Sequence, residues 1–114
     1  MLTLFALMLI LEADDGTADS FEVKRQMEQA FGPIGHEFEI VHNEWSRAVG
    51  DSLATYAIVL PESTFDAVVD RLDLGLWVCR AGRCSNESWL SQGCVVTRTI
   101  DRRKRRLDYQ YADF

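Results

Sequence analysis

Met1-Leu2-Thr3-Leu4-Phe5-Ala6-Leu7-Met8-Leu9-Ile10-Leu11 contains no charge, no glycine and no proline. Side chains of a strand point alternately to the two faces of its sheet. Leu2, Leu4, Ala6, Met8 and Ile10 fall on one alternation, and Phe5, Leu7, Leu9 and Leu11 on the other; Thr3 is the one polar residue. A sheet with a wet face shows polar residues at every second place. Read as a strand, the stretch asks for cover on both faces of its sheet.

Other readings of the same stretch fit less well. No Lys or Arg precedes it, and Glu12, Asp14 and Asp15 follow, unlike the basic start and small-residue cleavage site of a secretory signal. It is also shorter than the roughly 20 residues of a membrane-spanning helix. The sequence expectation is a cytoplasmic chain. At 114 residues, with 47% hydrophobic and 26% charged composition, one folded domain is expected.

Beyond a polar loop, Asp19 and Glu22 have the spacing of a capping box. Val23, Met27, Ala30 and Phe31 recur at helical spacing, and Gly32-Pro33 is a stop signal, so a helix is predicted over Ser20 to Phe31. His36 to Trp45 alternates and reads as a strand near a sheet edge, with Phe38, Ile40, His36 and His42 on one face and Glu37, Glu39 and Val41 on the other. Arg47 to Asp51 is a turn, and Leu53 to Leu60 a second apolar strand. Ser63 and Asp66 suggest a cap for a helix carrying Phe65, Val68, Val69 and Leu72. Leu76 to Arg80 reads as a short strand. Ala81 to Gln92 reads as irregular, with one helical turn at Ser88 to Leu90. Cys94 to Ile100 and Leu107 to Tyr111 form a hairpin.

The resulting β-α-β-β-α-β order resembles the ferredoxin-like arrangement: an α+β fold, two helices on one face of an antiparallel sheet, here over residues 1–80, with 81–114 as a loop and hairpin extension. Strands apolar on both sides then leave an uncovered face. The hairpin, a second copy or another protein would have to close it, and a homodimer is expected. Burying about 600 Å² there is worth about 15 kcal/mol gross, largely offset by association costs.

Residues that carry chemistry are few. Cys79, Cys84 and Cys94 are an odd set, which argues against a disulfide framework. They read mainly as reduced thiols packed as small hydrophobes. A Cys79–Cys84 disulfide needs an oxidising setting, and a zinc site with His36 or His42 lacks the second closely spaced pair. His42 and Glu44 share a strand face and suit acid–base work in a pocket between helices and sheet, but no nucleophile or second acid accompanies them in sequence. No cofactor motif, metal motif or catalytic set stands out.

Charge is uneven. Residues 1–75 carry fourteen acids against Lys24, Arg25, Arg47 and Arg71, while residues 76–114 carry eight bases against four acids. The sharpest local feature is Arg102-Arg103-Lys104-Arg105-Arg106, with Tyr109 and Tyr111 close by for base stacking. A net charge of −6 is unlike a general nucleic-acid binder.

The sequence reading is therefore a non-enzymatic interaction protein that binds a protein partner through an acidic surface (Glu37, Glu39, Asp66, Asp70), an apolar sheet face or the basic hairpin Arg102 to Arg106. Its acidity suits an inhibitor of a nucleic-acid-handling machine, with carboxylates imitating phosphates. The alternatives are nucleic-acid binding through Arg102 to Arg106 and a small dimeric enzyme using His42 and Glu44.

Overall fold

The computed structural model describes residues 13–48 and 51–114. The expected strand over residues 2–11 lies outside them. Within them the chain runs β1 (Ala13–Gly16), α1 (Ser20–Phe31), β2 (Glu39–Ala48), β3 (Asp51–Val59), α2 (Glu62–Arg71), β4 (Val78–Arg80), β5 (Arg83–Ser91), β6 (Cys94–Asp101) and β7 (Arg106–Asp113), with a 3-10 turn at Leu74–Leu76. It is an α+β fold: one seven-stranded sheet, antiparallel at every pairing, carries the two helices.

The strand order, β1-β2-β3-β7-β6-β5-β4, differs from the ferredoxin-like one. In that arrangement the first strand lies beside the third. Here β7 takes that place, pairing Val59 with Arg106 through to Ser52 with Asp113. After β3 the chain crosses by α2 to the far edge and returns as the meander β4 to β7. The expected C-terminal extension is thus part of the middle of the sheet and does not fold across its open face.

Helix α1 begins and ends where the sequence predicts. The Asp19 carboxylate accepts from the Glu22 N–H at 2.8 Å, and Gly32, at φ 86°, donates its N–H to the Glu28 carbonyl. Only half of the capping box forms, because the Glu22 carboxylate is taken by Arg25 and Gln26. Helix α2 starts at Glu62 behind Pro61 with no side-chain cap, so Ser63 does not play the expected role. Val23, Met27 and Phe31 from α1, and Phe65, Val68 and Val69 from α2, close on Tyr56, Ile58, Ile100, Leu107 and Tyr109 of the sheet. Those partners share one face, since Tyr56 pairs with Tyr109, and Ile58 with Leu107, which in turn pairs with Ile100.

Arg98 ties this layer together. Its guanidinium donates to the Ala30 carbonyl at the end of α1 (2.8 Å) and to Asn86 Oδ1 on β5 (2.7 Å), and it lies 4.8 Å from the ring centre of Trp77.

Three expectations about the far edge are corrected. Ala81 to Gln92 is a strand through most of its length, not an irregular loop with a helical turn. Ala81 and Gly82 (φ 51° and 80°) make the tight turn that starts it, and β6 supplies a ladder along its whole length, overriding its low intrinsic strand preference. β4 is an exposed edge strand, with Val78 75% accessible, rather than a doubly covered one. Cys79 and Cys84 face each other across β4 and β5 as a disulfide, while Cys94 is a buried free thiol. The first two are therefore neither packed free thiols nor a pair open to zinc.

Candidate interaction site

The face opposite the helices is read from register. One cross-strand row is Glu44–Thr55–Gln110–Thr97–Glu87, and the next is His42–Ala57–Asp108–Thr99–Ser85–Val78. Threonine, glutamine and charged side chains dominate both rows, and among the described residues no helix or strand lies over this face. The third row, Ser46–Leu53–Ala112–Val95–Trp89, is apolar; Leu53 is 41% and Trp89 60% accessible.

His42 and Glu44 do come together, with Nε2 3.5 Å from Oε2. They lie on this open face because the bulge at Val41 breaks the alternation of β2, leaving Ile40 with the helices and turning His42 away. The recess between α1 and the sheet, about 520 Å³, is lined from the other face by Glu22, Trp45, Arg47, Tyr56 and Tyr111. The expected acid–base pair and the expected pocket therefore sit on opposite sides of the sheet.

Tyr109 and Tyr111 also sit on the helical side. Tyr109 is 8% accessible and stacks on Tyr56, with ring centres 6.1 Å apart and planes 5° from parallel. Burial raises the pKa of both phenols. The pKa of Tyr111 is raised to about 12, chiefly by the neighbouring Cys94 thiol. Neither ring offers an open platform to a nucleic-acid base beside the basic loop.

The basic run forms the turn between β6 and β7. Asp101 Oδ1 accepts from the Lys104 N–H at 3.1 Å, and Arg105 takes a positive φ of 53°. This turn is bound to the β4–β5 turn, where the Arg102 N–H donates to the Gly82 carbonyl at 3.0 Å. Arg80 and Arg83, which flank the second turn, thereby join Arg102, Arg103, Lys104, Arg105 and Arg106. Seven cations share one end of the sheet with two carboxylates, Asp101 and Asp108. Asp108 grips the Arg106 guanidinium through both oxygens, at 3.0 and 3.1 Å. That pairing raises the pKa of Arg106 further. Among the described residues, the other six cations enter no ion pair. Arg83, Asp101, Lys104, Arg106 and Asp108 line a polar recess of about 200 Å³ there.

Sequence reading missed Arg80 and Arg83. The signal was Gly82 between two arginines, but Ala81 takes a positive φ that hairpin turns usually give to Asn, Asp or Gly, so the segment reads as irregular.

The acidic candidates do not form one cluster. Glu37 and Glu39 lead into β2, and Asp66 and Asp70 lie one turn apart on the exposed side of α2. All four are exposed. Glu39 pairs with Val59 and Glu62 starts α2, while the Leu60 N–H between them donates to the Arg105 carbonyl, so acids border the basic end on its α2 side.

Among the described residues, no group of three or more His, Cys, Asp or Glu is placed to hold a metal, and no helix is long and apolar enough to cross a membrane. No protein-family model, curated protein or solved structure matches the chain.

Proposed function

We propose that the protein is a non-enzymatic interaction protein that docks an acidic surface of a protein partner on the basic end of its sheet. The observation that carries this is the joining of two sequence-distant turns by the Arg102–Gly82 hydrogen bond, which gathers seven cations where the sequence displays five in a row. Exposed guanidinium groups recognise carboxylates through paired hydrogen bonds. Two features favour a protein over nucleic acid. Tyr109 is buried against Tyr56 and Tyr111 lines the recess on the helical side, away from the basic turn, and Glu39 and Glu62 border the site, where a continuous phosphate backbone would be repelled. A protein surface of mixed charge can satisfy both signs. The reading of the protein as an inhibitor of a nucleic-acid-handling machine rests on the separate acidic pairs and ranks behind it.

The cytoplasmic setting expected from the sequence belongs to this proposal and carries a condition. Disulfides are uncommon there, so the basic end must keep its form with Cys79 and Cys84 reduced.

The test is titration with an acidic peptide, poly-glutamate, beside a single-stranded and a duplex oligonucleotide of similar charge. Saturable, salt-sensitive binding of the peptide that falls at least tenfold when Arg102, Arg103, Lys104 and Arg105 become Ser is expected. Unchanged binding in that variant, or tighter binding of either oligonucleotide, overturns the reading.

A further inference from the structure

We infer that two copies of this chain join edge to edge through β5, continuing one sheet into the other. The basis is the outer edge of β5, which is separate from the basic end. β4 pairs only with Arg83, Cys84 and Ser85, so among the described residues Asn86 to Ser91 have no strand on that side. A sheet edge presents unpaired N–H and C=O groups that template another strand.

The register identifies which groups are free. Arg80 and Arg83 close a two-residue turn and make the first hydrogen-bonded pair of the hairpin. Hydrogen-bonded and non-hydrogen-bonded pairs alternate along an antiparallel ladder. Cys79 and Cys84 are then a non-bonded pair, which agrees with their Cα separation of 4.0 Å. The backbone groups of Arg83 and Ser85 therefore point outward to β4, and by the same alternation those of Glu87 and Trp89 point outward to solvent.

A second copy fits this edge. Two identical antiparallel strands are related by a two-fold axis, which makes the contact self-complementary. With the axis through Ser88, Glu87 of one copy bonds Trp89 of the other and the reverse, giving four backbone hydrogen bonds. The only charge on Asn86 to Ser91 is Glu87, and the Trp89 indole N–H already donates to its carboxylate at 2.8 Å. Pairing sets each Glu87 against Trp89 rather than against its equivalent, so like charges do not meet face to face. Trp89, 60% accessible on the open face, would lie across from Glu87 of the second copy, and Leu90, 65% accessible on the helical face, across from its Asn86, so each loses water contact.

The opposite side of the sheet supplies the contrast. Among the described residues β1 covers only Trp45 to Ala48 of β2, and the rest of β2 carries the Val41 bulge in its middle with Glu39 and Glu44, devices that discourage strand addition. The register shift of β5, between Trp89 and Ser91, instead falls beyond the Glu87–Trp89 pairing.

The test is molar mass in solution by light scattering, without reductant, for the whole chain of 13.0 kDa. The parent protein is expected at twice that mass. Glu87→Pro removes one outward donor and leaves the β6 ladder intact, so it should return the mass to that of one chain. Trp89→Lys, which needs no backbone change, should do the same. Circular dichroism of each variant confirms that it is folded. Ser88→Cys, placed on the axis, should cross-link two copies on mild oxidation. A parent that stays at the mass of one chain up to high concentration overturns the inference. So does a dimer that persists in both folded variants, which would place another surface at the contact.

Discussion

The two faces of the sheet differ in what holds them. On the helical face Val23, Met27, Phe31, Phe65 and Val68 close on Tyr56, Ile58, Ile100 and Leu107, and most of these side chains are fully out of water. On the open face, half-exposed threonines and an ion pair share rows with the exposed Gln110, ending in a band of cations. On the proposed function, stability and recognition are separated by the thickness of one sheet. Substitutions on the helical face should cost folding free energy, and substitutions at the open basic end should cost binding alone.

The largest effect should come from Phe31→Ala. It leaves a cavity where α1, α2 and the sheet meet, and a loss of about 3–5 kcal/mol is expected by chemical denaturation. Arg98→Ala follows, at about 2–3 kcal/mol, because it abandons the Ala30 carbonyl and Asn86 together with the Trp77 stacking contact. Arg98→Lys should recover only part of that, since an ammonium cannot serve both acceptors in the same plane. A smaller loss would mean that the helical layer is held by apolar packing without this tie.

How much of this was legible divides along the same line. The helices could be read because burial of one face imposes the spacing seen at Val23, Met27 and Phe31 and at Phe65, Val68 and Val69. The α+β class followed from them. The sheet order could not be read, because pairing β7 with β3 is a choice among strands far apart in sequence. Whether a face needs cover was equally hidden. Leu53 to Leu60 looks apolar on both alternations, yet Thr55 and Ala57 lie between Gln110, Asp108, Glu44 and His42, so two rows of that face are polar and only the row through Leu53 is apolar. Polarity belongs to the row, and rows cross strands. The basic run was plain in the sequence, whereas its partners Arg80 and Arg83 needed the contact between two turns.

Reducing the Cys79–Cys84 bond tests whether the far edge behaves as part of the folded unit. The ring is short, and the chain-entropy account gives at most about 2 kcal/mol. A melting temperature that falls modestly on reduction is expected; a collapse of the fold would show that β4 and β5 depend on the bond.

The pH dependence of the α1 terminus should be smaller. Hydrogen bonds from Arg25 and then Gln26 hold the Glu22 carboxyl at about 2, below its ordinary 4.5. A lowered folded-state pKa gives stability that is present above the unfolded value and lost as pH falls through the folded one. The parent should therefore lose stability relative to Glu22→Gln between about pH 4.5 and 2, and the difference should shrink in salt, since the pair is exposed.

The smallest stability change is expected where the functional claim is greatest. Replacing Arg102, Arg103, Lys104 and Arg105 with Ser removes exposed side chains and should alter folding by no more than about 0.5 kcal/mol per site. The decisive measurement is poly-glutamate titration of that variant against the parent at two salt concentrations. Binding by the parent that weakens with salt and is lost in a variant of unchanged stability is the expected result. Equal binding by both proteins, or no binding by the parent at low salt, would contradict the assignment of the basic end as the docking surface.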